Sequence, residues 1–269
     1  MSITSILSSI LKPPDRVLNR IFGKGFGLKD LFTLVNLAGG VGGVVLAFLG
    51  RPVDASYAVM AGFILGDSLD GVVARLTNRS NKFGSDFDTI TDHLAQCIAP
   101  AFIVFSFFRE YNIFLAASMS FVIIAAGSIR HARNTAVPFS YHFCWKGLPR
   151  PIATMVIFAV LNSQFIKYIP HPQWFGAVLI MGVSYGLLTD FPFVSHHGRR
   201  LQRWVVAIVV FAYATSILQA LFYRRFFWDI LLFYMCAYMF LGWIVLNKLE
   251  RDEFWVAVHK WRKDLEAQG

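Results

Sequence analysis

Four aspartates are the residues of this 269-residue chain best suited to chemistry. Asp67 and Asp70 stand three positions apart, and Asp88 and Asp92 four apart, so each pair shares one face if its segment is helical. Two such faces turned together make one acidic pocket. Ionisable groups in or beside a bilayer each cost about 2.5 to 3.5 kcal/mol on insertion scales, so the pocket calls for a positive occupant. With no Cys or His in the cluster, the donors are all hard oxygens, which selects Mg²⁺, Mn²⁺ or Ca²⁺ over zinc or copper. Four carboxylates are enough for two ions.

The full pattern is D-x2-D-G-x2-A-R-x8-G-x3-D-x3-D, filled by Asp67, Asp70, Gly71, Ala74, Arg75, Gly84, Asp88 and Asp92. At every fixed position across residues 67–92 it resembles the signature of the CDP-alcohol phosphotransferase family. The resemblance implies a membrane enzyme that moves a phosphatidyl-type group from a CDP-linked lipid onto an alcohol and releases CMP. It implies Mg²⁺ or Mn²⁺, as two ions, on Asp67, Asp70, Asp88 and Asp92, with Asp92 also the general base for the attacking hydroxyl. No Ser, Cys or His recurs at the fixed positions as a nucleophile, which favours one direct displacement. Gly71 and Ala74 leave a slot for a flat pyrimidine, Arg75 can pair with phosphate oxygens, and Gly84 completes the set expected around the CDP moiety. Asp86 falls outside the signature and reads as a surface charge.

Two further stretches bear on substrate. Thr33 and Asn36 form a T-x-x-N element level with the aspartates, similar to that of phosphatidylserine synthases within the family, and are expected to reach the nucleotide. Arg130 and Arg133 in I-R-H-A-R-N would project from one helix face, followed by F-C-W-K-G-L-P-R-P ending at Pro151. These resemble the R-L-A-R-F-N and F-x-G-L-P-x-P of the same branch, with His131 in place of Leu and no Phe before Asn134. The resemblance implies serine as acceptor, its carboxylate held by Arg130 and Arg133. Glycerol phosphate, inositol phosphate and choline are the alternative acceptors. A cation transporter with carboxylates along the ion path is the alternative from another class, but it leaves Gly71, Ala74 and Arg75 without a role.

The elements that must position these residues are membrane helices. The chain is 56% hydrophobic and 16% aromatic, with mean hydropathy +0.55, beyond what soluble domains carry. An all-α polytopic bundle of about eight spans is predicted, at 31–50, 55–75, 86–108, 111–129, 151–166, 173–189, 204–223 and 226–247. All but Arg51, Arg109, Lys167, Arg224 and Arg225 of the 25 Lys and Arg fall on one side of that arrangement, which puts both termini and the acidic pocket on the cytoplasmic side. The net charge of +9 then reflects topology and attraction to anionic lipid, and no nucleic-acid partner is expected.

The domain plan is an N-terminal interfacial helix or tail over 1–29, a transmembrane catalytic domain over 30–248 and a C-terminal amphipathic tail over 249–269. Val17, Leu18, Ile21 and Phe22 form the apolar side of the first; Phe254, Val258, Trp261 and Leu265 form that of the last. The partners expected are the CDP-lipid, the small alcohol, membrane lipids and a second copy in a homodimer. Gly39 and Gly43 form a GxxxG pair suited to close helix approach. Cys97, Cys144 and Cys236 are too isolated for a disulfide framework or a thiolate site. His196 and His197 have no third ligand near them and read as headgroup-facing.

Overall fold

The computed structural model describes residues 17–67, 81–195 and 224–267, with single positions between 211 and 222. Its elements are α1 (Leu28–Phe48), α2 (Pro52–Gly62), α3 (Lys82–His93), α4 (Ala99–Phe108), α5 (Ile113–Ala136), β1 (Cys144–Lys146), α6 (Arg150–Asn162), α7 (Pro172–Leu188), β2 (Pro192–Val194), α8 (Arg224–Leu241) and α9 (Lys248–Glu266). The all-α expectation holds apart from the two three-residue strands.

Four helical stretches are long and apolar enough to cross a membrane: Leu28–Phe48, Lys82–Phe108, Ile113–Ala136 and Phe226–Val245. The chain is an integral membrane protein. The count of eight is not reached among the described residues. α6 and α7, at 13 and 17 residues, are short of the roughly 20 residues that a span needs. The second predicted span runs past the described residues after Asp67, and most of the 204–223 span lies outside them.

The chain forms two compact units, residues 1–110 and 111–269. In the first, α1 is the element on which the others pack. Its buried residues are Asp30, Thr33, Asn36, Gly40, Gly43 and Ala47, one stripe that is polar in the first turns and small beyond them. The small half lets other helices approach to backbone distance. A Cβ on Gly39 would lie 2.6 Å from the Gly62 Cα, and one on Gly40 would lie 3.2 Å from the Ala95 Cα. The Gly39 and Gly43 pair thus does what its spacing predicts. Ahead of α1, residues 17–22 are helical, with Val17, Ile21 and Phe22 half exposed or more. Phe26 is buried and stacks 4.5 Å from the Phe22 ring.

In the second unit α7 packs on α5 and α6, and α8 on α6. Asn112 caps α5, its Oδ1 accepting the Phe114 and Leu115 N–H at 2.8 and 3.0 Å. Asp229 on α8 accepts the N–H of Gln164 and Phe165. β1 and β2 pair antiparallel, with Cys144 opposite Val194 and Lys146 opposite Pro192. In α9, the helix of the C-terminal tail, the expected apolar side is packed inside the unit. Phe254 and Val258 are fully buried, in a cluster with Phe139, Tyr141, Phe143 and Val194, and Trp261 is nearly so. Their apolar side is covered by the chain itself because the β1–β2 segment offers an aromatic surface of matching size.

Candidate active site

The polar half of α1 and the C-terminal half of α3 bring the predicted residues together. One carboxylate oxygen each from Asp67, Asp88 and Asp92 lies within 4.8 Å of the others, and all three residues are half buried. Two oxygens bound to one ion at 2.0 to 2.6 Å stand at most about 5 Å apart, so this all-oxygen set fits a hard divalent cation. Asp70, Gly71, Ala74 and Arg75 lie outside the described residues.

Local backbone shapes the cluster. Asp67 closes a π-helical turn, Phe63–Asp67, that continues α2. A second π turn, Leu94–Ile98, begins two residues after Asp92 and joins α3 to α4. Such turns insert a residue and re-aim the side chains that follow. Gly66 makes the first possible, since a Cβ there would stand 2.5 Å from the Asn36 N and 2.7 Å from the Phe32 carbonyl oxygen. Sequence reasoning missed Gly66; its signal was its place immediately before Asp67.

Asn36 is fully buried, and its Nδ2 donates to Asp92 Oδ1 at 3.3 Å. Its own Oδ1 is buried and finds no hydrogen-bond partner among the described residues. A buried acceptor left in that state costs about 1 to 3 kcal/mol, which suits a group awaiting a ligand's N–H or O–H. Thr33, one turn earlier on the same face, is also fully buried. Gly84 sits in the first turn of α3, where Asn81 Oδ1 accepts its N–H at 2.7 Å. A Cβ there would collide with the Lys29 ammonium and come within 2.7 Å of Asp30 Oδ1. The glycine admits the Lys29–Asp30 ion pair, 3.0 Å long and with Asp30 wholly buried, a pair with no sequence signal. Asp86 is exposed.

In the second unit Arg130 is buried and its guanidinium is engaged by backbone. Nη1 donates to the carbonyls of Lys146 at 2.7 Å and Leu187 at 2.9 Å, and Nη2 lies 3.5 Å from that of Gly147. Gly147 has φ +68°, and a Cβ on it would meet the Thr189 carbonyl at 2.5 Å and Arg130 Nη1 at 2.8 Å. The arginine and the G-L-P-R-P stretch therefore belong to one packed arrangement. Arg133 is half buried. His196 and His197 lie outside the described residues.

Residues 27–189 match the family model described as CDP-alcohol phosphatidyltransferase. The chain belongs to the CDP-alcohol phosphatidyltransferase family. The matched region contains every residue of the acidic centre. Among curated relatives, a Helicobacter pylori protein named CDP-diacylglycerol–serine O-phosphatidyltransferase is 39% identical over 166 residues, 57% of this chain and 67% of the relative. A Methanothermobacter thermautotrophicus protein named archaetidylserine synthase is 29% identical, over 58% of this chain and 67% of its own. A Methanocaldococcus jannaschii protein with the first name is 26% identical, over 72% of this chain and 91% of that relative.

Proposed function

We propose that this member of the CDP-alcohol phosphatidyltransferase family transfers the phosphatidyl group of CDP-diacylglycerol to the hydroxyl of L-serine, giving phosphatidylserine and CMP. The observation that carries the reading is the convergence of Asp67, Asp88 and Asp92 beside Asn36, inside a region whose relatives are named for serine as acceptor. Divalent cations, Mg²⁺ or Mn²⁺, held by Asp67, Asp70, Asp88 and Asp92, would supply charge neutralisation for the diphosphate and for the departing CMP.

The chain's own groups do the rest. Asp92 takes the serine hydroxyl proton while the serine oxygen forms its bond to the lipid-side phosphorus and the bond to CMP breaks with its electron pair leaving on CMP. Asn36 orients the Asp92 carboxylate through its Nδ2, and its own Oδ1, buried and without a hydrogen-bond partner among the described residues, accepts from the bound nucleotide. Thr33, Gly71, Ala74, Arg75 and Gly84 complete the nucleotide side. Arg130 is held by three carbonyls, so direct contact with the serine carboxylate falls to Arg133, with Arg130 fixing the end of α5 behind it. In this reading the site faces the cytoplasm, which the distribution of basic residues supports.

The test is release of CMP by purified protein given CDP-diacylglycerol, Mn²⁺ or Mg²⁺ and a panel of acceptors, with the dialkyl CDP-lipid as a second donor. Serine-dependent CMP release that stops in excess chelator is the expected result. Release with glycerol phosphate, inositol phosphate or choline in preference to serine overturns the acceptor, and no release with any acceptor overturns the reaction.

A further inference from the structure

The family match ends at residue 189, yet α9 reaches back onto the segment that supports Arg130. Trp261 Nε1 donates to the Val137 carbonyl at 2.7 Å, just past the end of α5. The Tyr141 hydroxyl stands 3.2 Å from both the Glu250 carbonyl and Glu253 Oε2. The Lys146 ammonium lies 3.5 Å from the centre of the Trp261 ring and 3.4 Å from Asp190 Oδ1. Arg262 Nε donates to Asp190 Oδ2 at 2.9 Å. Lys146 and Gly147 are two of the three residues whose carbonyls receive Arg130.

A two-stranded ladder of three residue pairs is not stable alone in water, so the β1–β2 segment depends on what packs against it. α9 supplies that surface with Phe254, Val258 and Trp261. Burial lowers the Lys146 pKa, while Asp190 works the other way, so the ammonium keeps its place only while the Trp261 ring and Asp190 stay on either side of it. The same segment walls a cavity of about 300 Å³ whose lining includes Arg130, Asn134, His142 and Lys146.

We propose that α9 is a clamp on the acceptor side of the enzyme, in which Trp261 and Arg262 are positioning residues that fix Lys146, and through its carbonyl Arg130 and the end of α5 bearing Arg133. The consequence for serine rests on the acceptor reading given above; the clamp itself does not. Arg262 is half exposed, so Arg262→Ala leaves the fold intact where Trp261→Ala removes a buried ring.

The experiment uses the full-length protein and two readouts. Amide exchange over residues 137–147 tests the clamp: it speeds up at least tenfold in Arg262→Ala and Trp261→Ala and returns toward the parent in Arg262→Lys. Unchanged exchange in both alanine variants overturns it. Steady-state kinetics test the consequence: serine KM rises about fivefold to tenfold in the same variants, and CDP-diacylglycerol KM stays within twofold. A serine KM that does not move while Arg133→Lys raises it overturns the positioning role. If Arg133→Lys itself leaves serine KM unchanged, the acceptor reading fails, and the exchange result alone decides the clamp.

Discussion

Asp92 and Asn36 illustrate how a residue's task depends on its neighbour. The amide of Asn36 donates to Asp92 Oδ1, which holds the carboxylate in one rotamer without changing the charge at the centre. If Asp92 is the proton acceptor proposed above, Asp92→Asn should lower kcat by about 10²- to 10⁴-fold, the range for loss of a general base, with the protein still extractable and monodisperse. Asp88→Asn should abolish turnover by weakening metal retention, checked by the shift of the Mn²⁺ activation curve to higher concentration. Asn36→Leu should cost both kcat and CDP-lipid affinity, since it removes the Asp92 contact and the free Oδ1 together. Asp88 and Asp92 were legible from spacing because a four-residue interval translates directly into a helix face, whereas Asp70, the partner spacing gave Asp67, lies outside the described residues. Arg130 was only half legible. Its position beside G-L-P-R-P was visible, but its three carbonyl partners come from Lys146, Gly147 and Leu187, and no pattern in the chain announces a contact between residues 130 and 187.

At the scale of elements, the polar and small stripe of α1 was readable as T-x-x-N followed by glycines, and the structure uses both halves. The π turns at Phe63–Asp67 and Leu94–Ile98 were not, because the extra residue they insert carries no composition signal. Gly147 shows the cost of disturbing such geometry. Its φ of +68° costs an L-residue roughly 1 to 2 kcal/mol, and the Thr189 carbonyl 2.5 Å from the new Cβ adds to this. Gly147→Ala should therefore lower the thermal midpoint, and by displacing Arg130 it should raise serine KM more than CDP-lipid KM. The helical apolar spacing of the tail is the same for a bilayer and for an aromatic surface, so the sequence does not announce the packing of Phe254 and Val258 within the unit. The tail's docking carries a pH signature. Burial, and then the hydrogen bond with Glu253, push the Tyr141 hydroxyl up to about 12. A raised folded pKa means that this stabilisation is complete below the unfolded value of about 10 and is lost as pH rises from there to about 12. The thermal midpoint of the parent should fall more steeply across that window than that of Tyr141→Phe; equal slopes would show that the tyrosine does not hold the tail.

The first unit also fixes where the centre sits across the bilayer. α1 has 21 residues, about 31 Å at 1.5 Å per residue, which matches the roughly 30 Å hydrocarbon core. Asp30, Thr33 and Asn36 occupy its first turns, and Arg51 stands just past its other end. Asn36 lies about 12 Å along the axis from Leu28, so the acidic centre belongs to the half of the span nearer the start of α1, and Arg51 stands beyond the opposite end. Asn81 Nδ2 donates to the Gly25 carbonyl at 2.6 Å, which ties the start of α3 to the residues ahead of α1, so Lys82 shares the face of the acidic centre. The excess of basic residues predicted for that side supports the proposal that it is the cytoplasmic one. Both Lys82 and Arg51 are exposed, and of the native cysteines Cys97 and Cys144 are buried. In intact cells, Arg51→Cys should react with an impermeant maleimide from outside, and Lys82→Cys only after the inner face is opened. The reverse labelling pattern would turn the protein over and place the acidic centre toward the outer face, which overturns the cytoplasmic placement.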